Sequence, residues 1–240
     1  MWPFKSVKPL KESGLFAGYV DWHSHILPGV DDGISTMEGA LEVLRHYEEL
    51  GFRKVWLTPH VMEDYPNTTT FLRERFLELK SNWDGNLELR LASENMLDNL
   101  FEERLAAKDF LPIGDDGTHL LVETSYYTPP MGMADMLEAI RGAGYFPILA
   151  HPERYRYMEE KDYRELKKQG VFFQINFISL VGGYGETAKK KAEWLLLNDM
   201  VDLTGSDIHR LDAVKTGIVN KPGSSKIVQK LQDVISECCL

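Results

Sequence analysis

Apolar runs of four to six residues alternate with segments of helical period along almost the whole chain, and this alternation restricts the fold more than any other property of the sequence. It is the pattern of repeated strand and helix units. The first helix is marked by Ser35 and Glu38 as a capping box, by Ala40, Val43, Leu44 and Tyr47 at helical spacing, and by Gly51 as a stop. A strand over residues 54–58 follows, then a helix over 70–81 and a strand over 87–92. Further strands at 120–122, 146–150, 171–175 and 201–204 are separated by helices near 134–141, 163–169 and 186–198. With the apolar pair Tyr19-Val20 opening the first, seven strands are predicted.

Six of these seven strands run directly into residues that bind metals. The first carries Asp21-Trp22-His23-Ser24-His25, followed by Asp31-Asp32-Gly33; the others lead to His60, Glu94, Glu123, His151 and the run Ser206-Asp207-Ile208-His209. Side chains two apart on an extended strand share a face, so His23 and His25 can reach one cation. Parallel barrels collect their sites at the carboxyl ends of the strands, where the loops converge on one mouth. The expected fold is therefore an α/β, distorted seven-stranded (β/α) barrel of the TIM-like kind.

A chain of 240 residues, 43% hydrophobic, is long enough for one such core. A single domain over 18–240 is expected, preceded by a loosely ordered tail over 1–17. The formal charge of −10 argues against a nucleic-acid surface, which needs a lysine- and arginine-rich face. Part of that negative charge would be neutralised by cations held in the site. No signal-type segment and no run of 18 apolar residues occurs, so a cytoplasmic protein that does not span a membrane is expected. The only cysteines, Cys238 and Cys239, are adjacent and form no disulfide framework. Neither is followed six positions later by the arginine that a cysteine-dependent phosphatase loop requires.

Other residues divide between sharper and plainer readings. His46 shares a helix face with Glu42 and Glu49 and reads as solvated, and His119 reads as an exposed strand-edge histidine. Asp31 and Asp32 compete for one ligand role, the alternative for either being turn formation before Gly33. Gly182-Gly183-Tyr184-Gly185 reads as a flexible loop near the mouth.

The motifs resemble those of the PHP (polymerase and histidinol phosphatase) superfamily, and within it the bacterial capsule-locus tyrosine-protein phosphatases. The resemblance is carried by Asp21 to Gly33, by His151-Pro152-Glu153-Arg154-Tyr155 and by Ser206 to His209, in the family's order, and covers the chain from Gly18 onward. It implies the PHP barrel and a site for three divalent metal ions. His23, His25, Glu94 and Asp207 would hold the first, with Glu94 bridging to a second ion also bound by Glu123 and His151, and Asp32, His60 and His209 would hold the third. Manganese is favoured, and iron or zinc suits the same donors. One departure is local: relatives carry an aromatic or apolar residue after the glutamate of Ala92-Ser93-Glu94, where this chain has Asn95.

The activity implied is hydrolysis of phosphotyrosine by a metal-activated water, on a bacterial tyrosine kinase that regulates capsular or extracellular polysaccharide synthesis. Arg154, on the loop of His151, is placed to grip phosphate and to neutralise the transition state. Asp207 or His209 would assist the leaving group, with Arg210 as a second phosphate contact. Tyr126, Tyr127 and the tyrosines of 155–157 would line a phosphotyrosine pocket or pack the barrel rim. Two rival functions are a small-molecule phosphomonoesterase of the histidinol-phosphate type and a metal-stabilised kinase-binding module without turnover.

Overall fold

The computed structural model describes residues 7–238. In chain order these form β1 (Val20–Asp21), α1 (Met37–Leu50), β2 (Lys54–Leu57), β3 (His60–Val61), α2 (Thr69–Asn82), β4 (Glu88–Leu91), β5 (Glu94–Met96) and α3 (Phe101–Ala107). Then follow β6 (His119–Glu123), α4 (Met133–Gly142), β7 (Phe146–Ala150), α5 (Glu160–Lys168), β8 (Phe172–Asn176), α6 (Glu186–Leu197), β9 (Leu203–Gly205), α7 (Leu211–Gly217) and α8 (Ser225–Glu237).

The strands pair in parallel in two groups, β1-β2-β4 and β3-β5-β6-β7-β8-β9. Segments β2 and β3 are one strand interrupted at Thr58-Pro59, and β4 and β5 are one interrupted at Ala92-Ser93, so the described residues trace the seven strands expected. Pro59 has no N–H to give a ladder. Bonds from Ala92 N to the Leu57 carbonyl (2.9 Å) and from Glu94 N to that of Pro59 (3.1 Å) carry the pairing across the breaks.

The last strand returns to the first. Trp22 N donates to the Thr204 carbonyl (3.3 Å), Asp207 N to that of His23 (2.7 Å) and His25 N to that of Ile208 (3.0 Å). This approach depends on Gly205: a Cβ placed there would lie 2.5 Å from the His23 Cβ, closer than any real contact allows.

Alternation along the strands separates two cores. Leu121, Ile148, Ala150 and Leu203 point inward and join Trp22 and Trp56, stacked at 5.9 Å, as a plug below the mouth. Their neighbours Leu120, Val122 and Leu149 face outward into the larger core under the helices.

Three expectations need correction. Residues 7–17 are not a loose tail: Leu10 is fully buried, Leu15 and Phe16 nearly so, and Lys11 N donates to the Ile218 carbonyl at 2.8 Å. Phe16 packs against Tyr19, Phe52 and Phe177, which gives this segment apolar contacts that a solvated tail lacks. The part of the tail reading that falls on residues 1–6 lies outside the described residues, as does Cys239. The cap of α1 is Thr36, whose hydroxyl accepts from Gly39 N, rather than Ser35; Gly51 ends the helix at φ 94° as expected. His119 is buried, not exposed, because Phe146 and Phe172 close over it.

Candidate metal centre

All nine predicted ligands come together at the carboxyl end of the barrel. Glu94, fully buried at the start of β5, stands at the middle. Its Oε2 lies 3.1 Å from His23 Nε2, 3.2 Å from His25 Nε2 and 3.1 Å from His60 Nδ1, and its Oε1 lies 2.9 Å from His151 Nε2. Glu123, ending β6, approaches His60 Nδ1 at 2.9 Å and His151 Nε2 at 3.8 Å. Asp207 Oδ1 faces His25 at 3.4 Å, His209 at 3.5 Å and His23 at 3.6 Å. On the outer side Asp32 lies 3.3 Å from His209 Nε2 and 3.4 Å from His60 Nε2. His60 thus presents one ring nitrogen to each of two donor groups, and His25 falls close to the Asp32, His60 and His209 set as well as to His23 and Asp207.

This arrangement fits divalent cations. His60 Nδ1 lies 3.1 Å from Glu94 Oε2 and 2.9 Å from Glu123 Oε1, and none of these three buried atoms makes a hydrogen bond of good geometry. Buried nitrogen and carboxylate oxygens brought this close suit an ion held among them. His23 Nε2 and His25 Nε2 face each other at 3.1 Å, a contact in which one nitrogen must surrender its role as acceptor unless a cation lies between them.

The other ring nitrogens are fixed from behind. His25 Nδ1 donates to Asp31 (2.8 Å), His209 Nδ1 to the carbonyl of Asp207 (3.0 Å), and His23 Nδ1 to Gln174 Oε1 (2.7 Å), leaving each Nε2 turned to the site. Asp31 thus lies behind His25 and also accepts from His60 N and Gly33 N, while Asp32 approaches His60 and His209. Strand β8 carries no predicted ligand, but its Gln174 Nε2 donates to Asn176 Oδ1 (2.9 Å) and Asn176 Nδ2 to Asp207 Oδ2 (2.8 Å). Hydrogen bonds thus link His23 to Asp207 through two neutral amides. His151 and Asp207 themselves adopt left-handed backbone, φ 34° and 51°, the kind of strain that persists where surrounding structure enforces it.

Electrostatics follow from this crowding. Burial favours neutral Glu94, but the imidazoles of His23 and His60 outweigh it and hold the carboxyl well below its usual range. Burial and the neighbouring His25 oppose protonation of His60; the carboxylates of Glu94 and Glu123 prevail and lift it to about 10. Cations and protons would compete for these same donor atoms.

Arg154 sits on the 3₁₀ turn Pro152–Arg154 that follows His151. Its guanidinium carbon lies 4.4 Å from the ring centre of Tyr126 and 4.2 Å from that of Tyr184, and its Nη1 donates to Asp207 Oδ2 at 2.6 Å. Tyr184 donates to the same oxygen at 3.1 Å. Tyr126, Arg154, Tyr184, Asp32, His209 and the exposed Arg210 line a cavity of about 920 Å³ over the donors. Tyr155 is core instead, fully buried with its hydroxyl bonded to Thr124 N, and Tyr157 bonds to Thr124 Oγ1. Asn95 is tied to the Ser93 and Leu121 carbonyls. His46 and His119 lie outside every donor group among the described residues.

Fold and site together define a parallel (β/α) barrel with a histidine and carboxylate metal-binding centre at its strand ends. Residues 19–230 match the family described as capsular polysaccharide synthesis, CpsB/CapC, and the chain belongs to that family. It is 32% identical over 207 residues to the tyrosine-protein phosphatase CpsB of Streptococcus pneumoniae, covering 81% of this chain and 84% of that protein. It is 28% identical over 198 residues to the tyrosine-protein phosphatase YwqE of Bacillus subtilis, covering 80% and 78%. A structure solved in work on YwqE from Bacillus subtilis and CpsB from Streptococcus pneumoniae, described as unique metal-dependent tyrosine phosphatases, aligns with a TM-score of 0.75 at 26% identity, over 91% of this chain and 86% of that one.

Proposed function

We propose that this chain is a metal-dependent protein-tyrosine phosphatase. The observation that carries the reading is the convergence of nine imidazole and carboxylate residues beneath a cavity that also holds the fixed guanidinium of Arg154. The residues named from the resemblance would hold up to three divalent ions, manganese favoured: His23, His25, Glu94 and Asp207; Glu94, Glu123 and His151; Asp32, His60 and His209. Bound divalent cations supply a water of lowered pKa and a clamp for phosphate oxygens.

The chain's own residues do the rest. Arg154 meets the charge that develops on the phosphoryl oxygens, in a position set before substrate arrives. His209, whose Nδ1 bonds to the Asp207 carbonyl and whose Nε2 faces the third donor group, would act as a ligand rather than as an acid, and Arg210 adds positive charge at the rim. A phenol with a pKa of about 10 leaves with less protonation than an alkyl alcohol needs, which suits a site with modest acid assistance. Among the described residues no helix is long and apolar enough to cross a membrane. The substrate we favour is a phosphorylated bacterial tyrosine kinase of polysaccharide synthesis, met in the cytoplasm.

The test is phosphate release from a phosphotyrosine peptide by protein loaded with manganese, compared with chelator-treated protein and with histidinol phosphate as substrate. Release that is abolished by chelation and restored by metal is expected. A higher specificity constant for histidinol phosphate would make this a small-molecule phosphatase; binding of phosphotyrosine protein without release would make it a binding module.

A further inference from the structure

The stack of Tyr126, Arg154 and Tyr184 is a wall with cavities on both sides. Behind it lies a second cavity of about 540 Å³, whose far side is built by Tyr127, Arg156, Lys191 and the first turn of α6. We infer that this second cavity is a subsite for an acidic residue flanking the phosphotyrosine of a protein substrate, and that Arg156 is the side chain that reads it. The inference rests on the phosphotyrosine reading above and adds to it a sequence preference.

Arg156 is held but not neutralised. Its backbone N–H donates to the Tyr126 carbonyl at 2.8 Å, and its guanidinium carbon lies 4.7 Å over the ring of Tyr127, which is 64% exposed. Arg156 is exposed and, among the described residues, makes no ion pair. A planar guanidinium fixed by its face on an aromatic ring leaves its N–H edge for a carboxylate.

The surroundings have the same sign. Lys191 is anchored in the wall by bonds to the carbonyls of Tyr155 and Met158, and Arg154 forms the shared side. The amino end of α6 at Gly185 has no side-chain cap, and its partial positive charge adds to theirs. Of the two carboxylates in the wall, Glu153 is buried and accepts from Asn176 N and Ser179 Oγ, and Glu186 lies 4.0 Å from Lys190.

The two cavities share Tyr126, Arg154 and Tyr184 in their linings, so they adjoin, and an extended peptide that advances about 3.3 Å per residue places flanking side chains next to the phosphotyrosine site.

The experiment compares phosphotyrosine peptides carrying Asp or Glu within two positions on either side with the same peptides carrying Asn or Gln. Each specificity constant is divided by the same protein's value on free phosphotyrosine. Wild-type protein should favour an acidic peptide by about tenfold, the value of one charge-assisted contact, and the preference should shrink as salt is raised. In Arg156→Gln the ratio should fall toward one, with the change in KM, and in Arg156→Glu it should invert in favour of Lys-flanked peptides. Equal rates on acidic and neutral peptides, or a preference unchanged in both variants, would overturn the subsite while leaving the phosphatase intact. Turnover of histidinol phosphate with none of free phosphotyrosine or any peptide would overturn the phosphotyrosine reading and the subsite with it.

Discussion

Replacing Arg154 separates transition-state stabilisation from metal binding, because its guanidinium touches Asp207 through the oxygen that faces away from the donors. Nη1 is 2.6 Å from Oδ2, while Oδ1 faces the three imidazoles. In Arg154→Ala that outer oxygen keeps Asn176 at 2.8 Å and Tyr184 at 3.1 Å, so the ligand stays oriented and metal content should match wild type. The stack between Tyr126 and Tyr184 holds the guanidinium in place before substrate arrives, the condition under which one donor to a developing oxyanion is worth about 3–4 kcal/mol, or roughly 10²–10³ in kcat. Arg154→Lys keeps the charge but not the planar fork, and should fall between Ala and wild type. Steady-state hydrolysis of a phosphotyrosine peptide is measured beside elemental analysis of the same preparation. A rate loss of less than about fivefold, far below that range, would refute the role in turnover. Metal lost in proportion to rate would show instead that Arg154 supports Asp207 as a ligand.

Gln174→Ala removes the acceptor that fixes the His23 tautomer at 2.7 Å, so metal affinity should fall by about 10–100-fold in a metal titration; an unchanged affinity would make the amide link merely structural. His60, lifted to about 10 in the metal-free site, carries a proton at pH 8 that a cation must displace. Loading in weakly buffered solution at pH 8 should therefore release at least one proton per chain, with affinity rising as pH rises toward 10, and loading without release would contradict the assignment. Leu10→Ala should destabilise the protein by about 2–5 kcal/mol in chemical denaturation, as for other buried leucines, whereas a loss below about 1 kcal/mol would restore the tail reading of this segment.

Strand ends were legible because most of the predicted ligands lie within a few residues of an apolar run, a signal confined to neighbouring residues. Glu123 and His151 could be placed from Leu120-Leu121-Val122 and from Phe146 to Ala150 without knowledge of the rest of the chain. Features that depend on residues distant in sequence were not legible. His119 is covered by Phe146 and Phe172, and the segment around Leu10 becomes core only when residues 218–220 lie against it. Helices α3 and α7 have seven residues each, too few to display a helical period above the surrounding noise. Tyr184, read only as part of a glycine-rich loop, gained its place through Arg154 and Asp207.

The most informative omission is β8, the one strand of seven with no ligand assigned. Gln174 and Asn176 alternate with apolar Phe173 and Ile175 and look like ordinary inward polar positions. Their position gives them a reason to be amides. Strand β8 lies between β7, which leads to His151, and β9, which leads to Asp207, and its two side chains bond to His23 on one side and Asp207 on the other. A carboxylate at 176 would have to face Asp207 Oδ2 at the 2.8 Å now spanned by an N–H donor, adding a like charge with no hydrogen to share. An amide supplies the donor for Asp207 and, through Gln174, the acceptor for His23, while adding no charge to a centre already rich in carboxylates. Strand β8 thus orients a predicted ligand from each of the two strands that meet at the closure, His23 after β1 and Asp207 after β9, with amides that carry no metal-binding signature in the sequence.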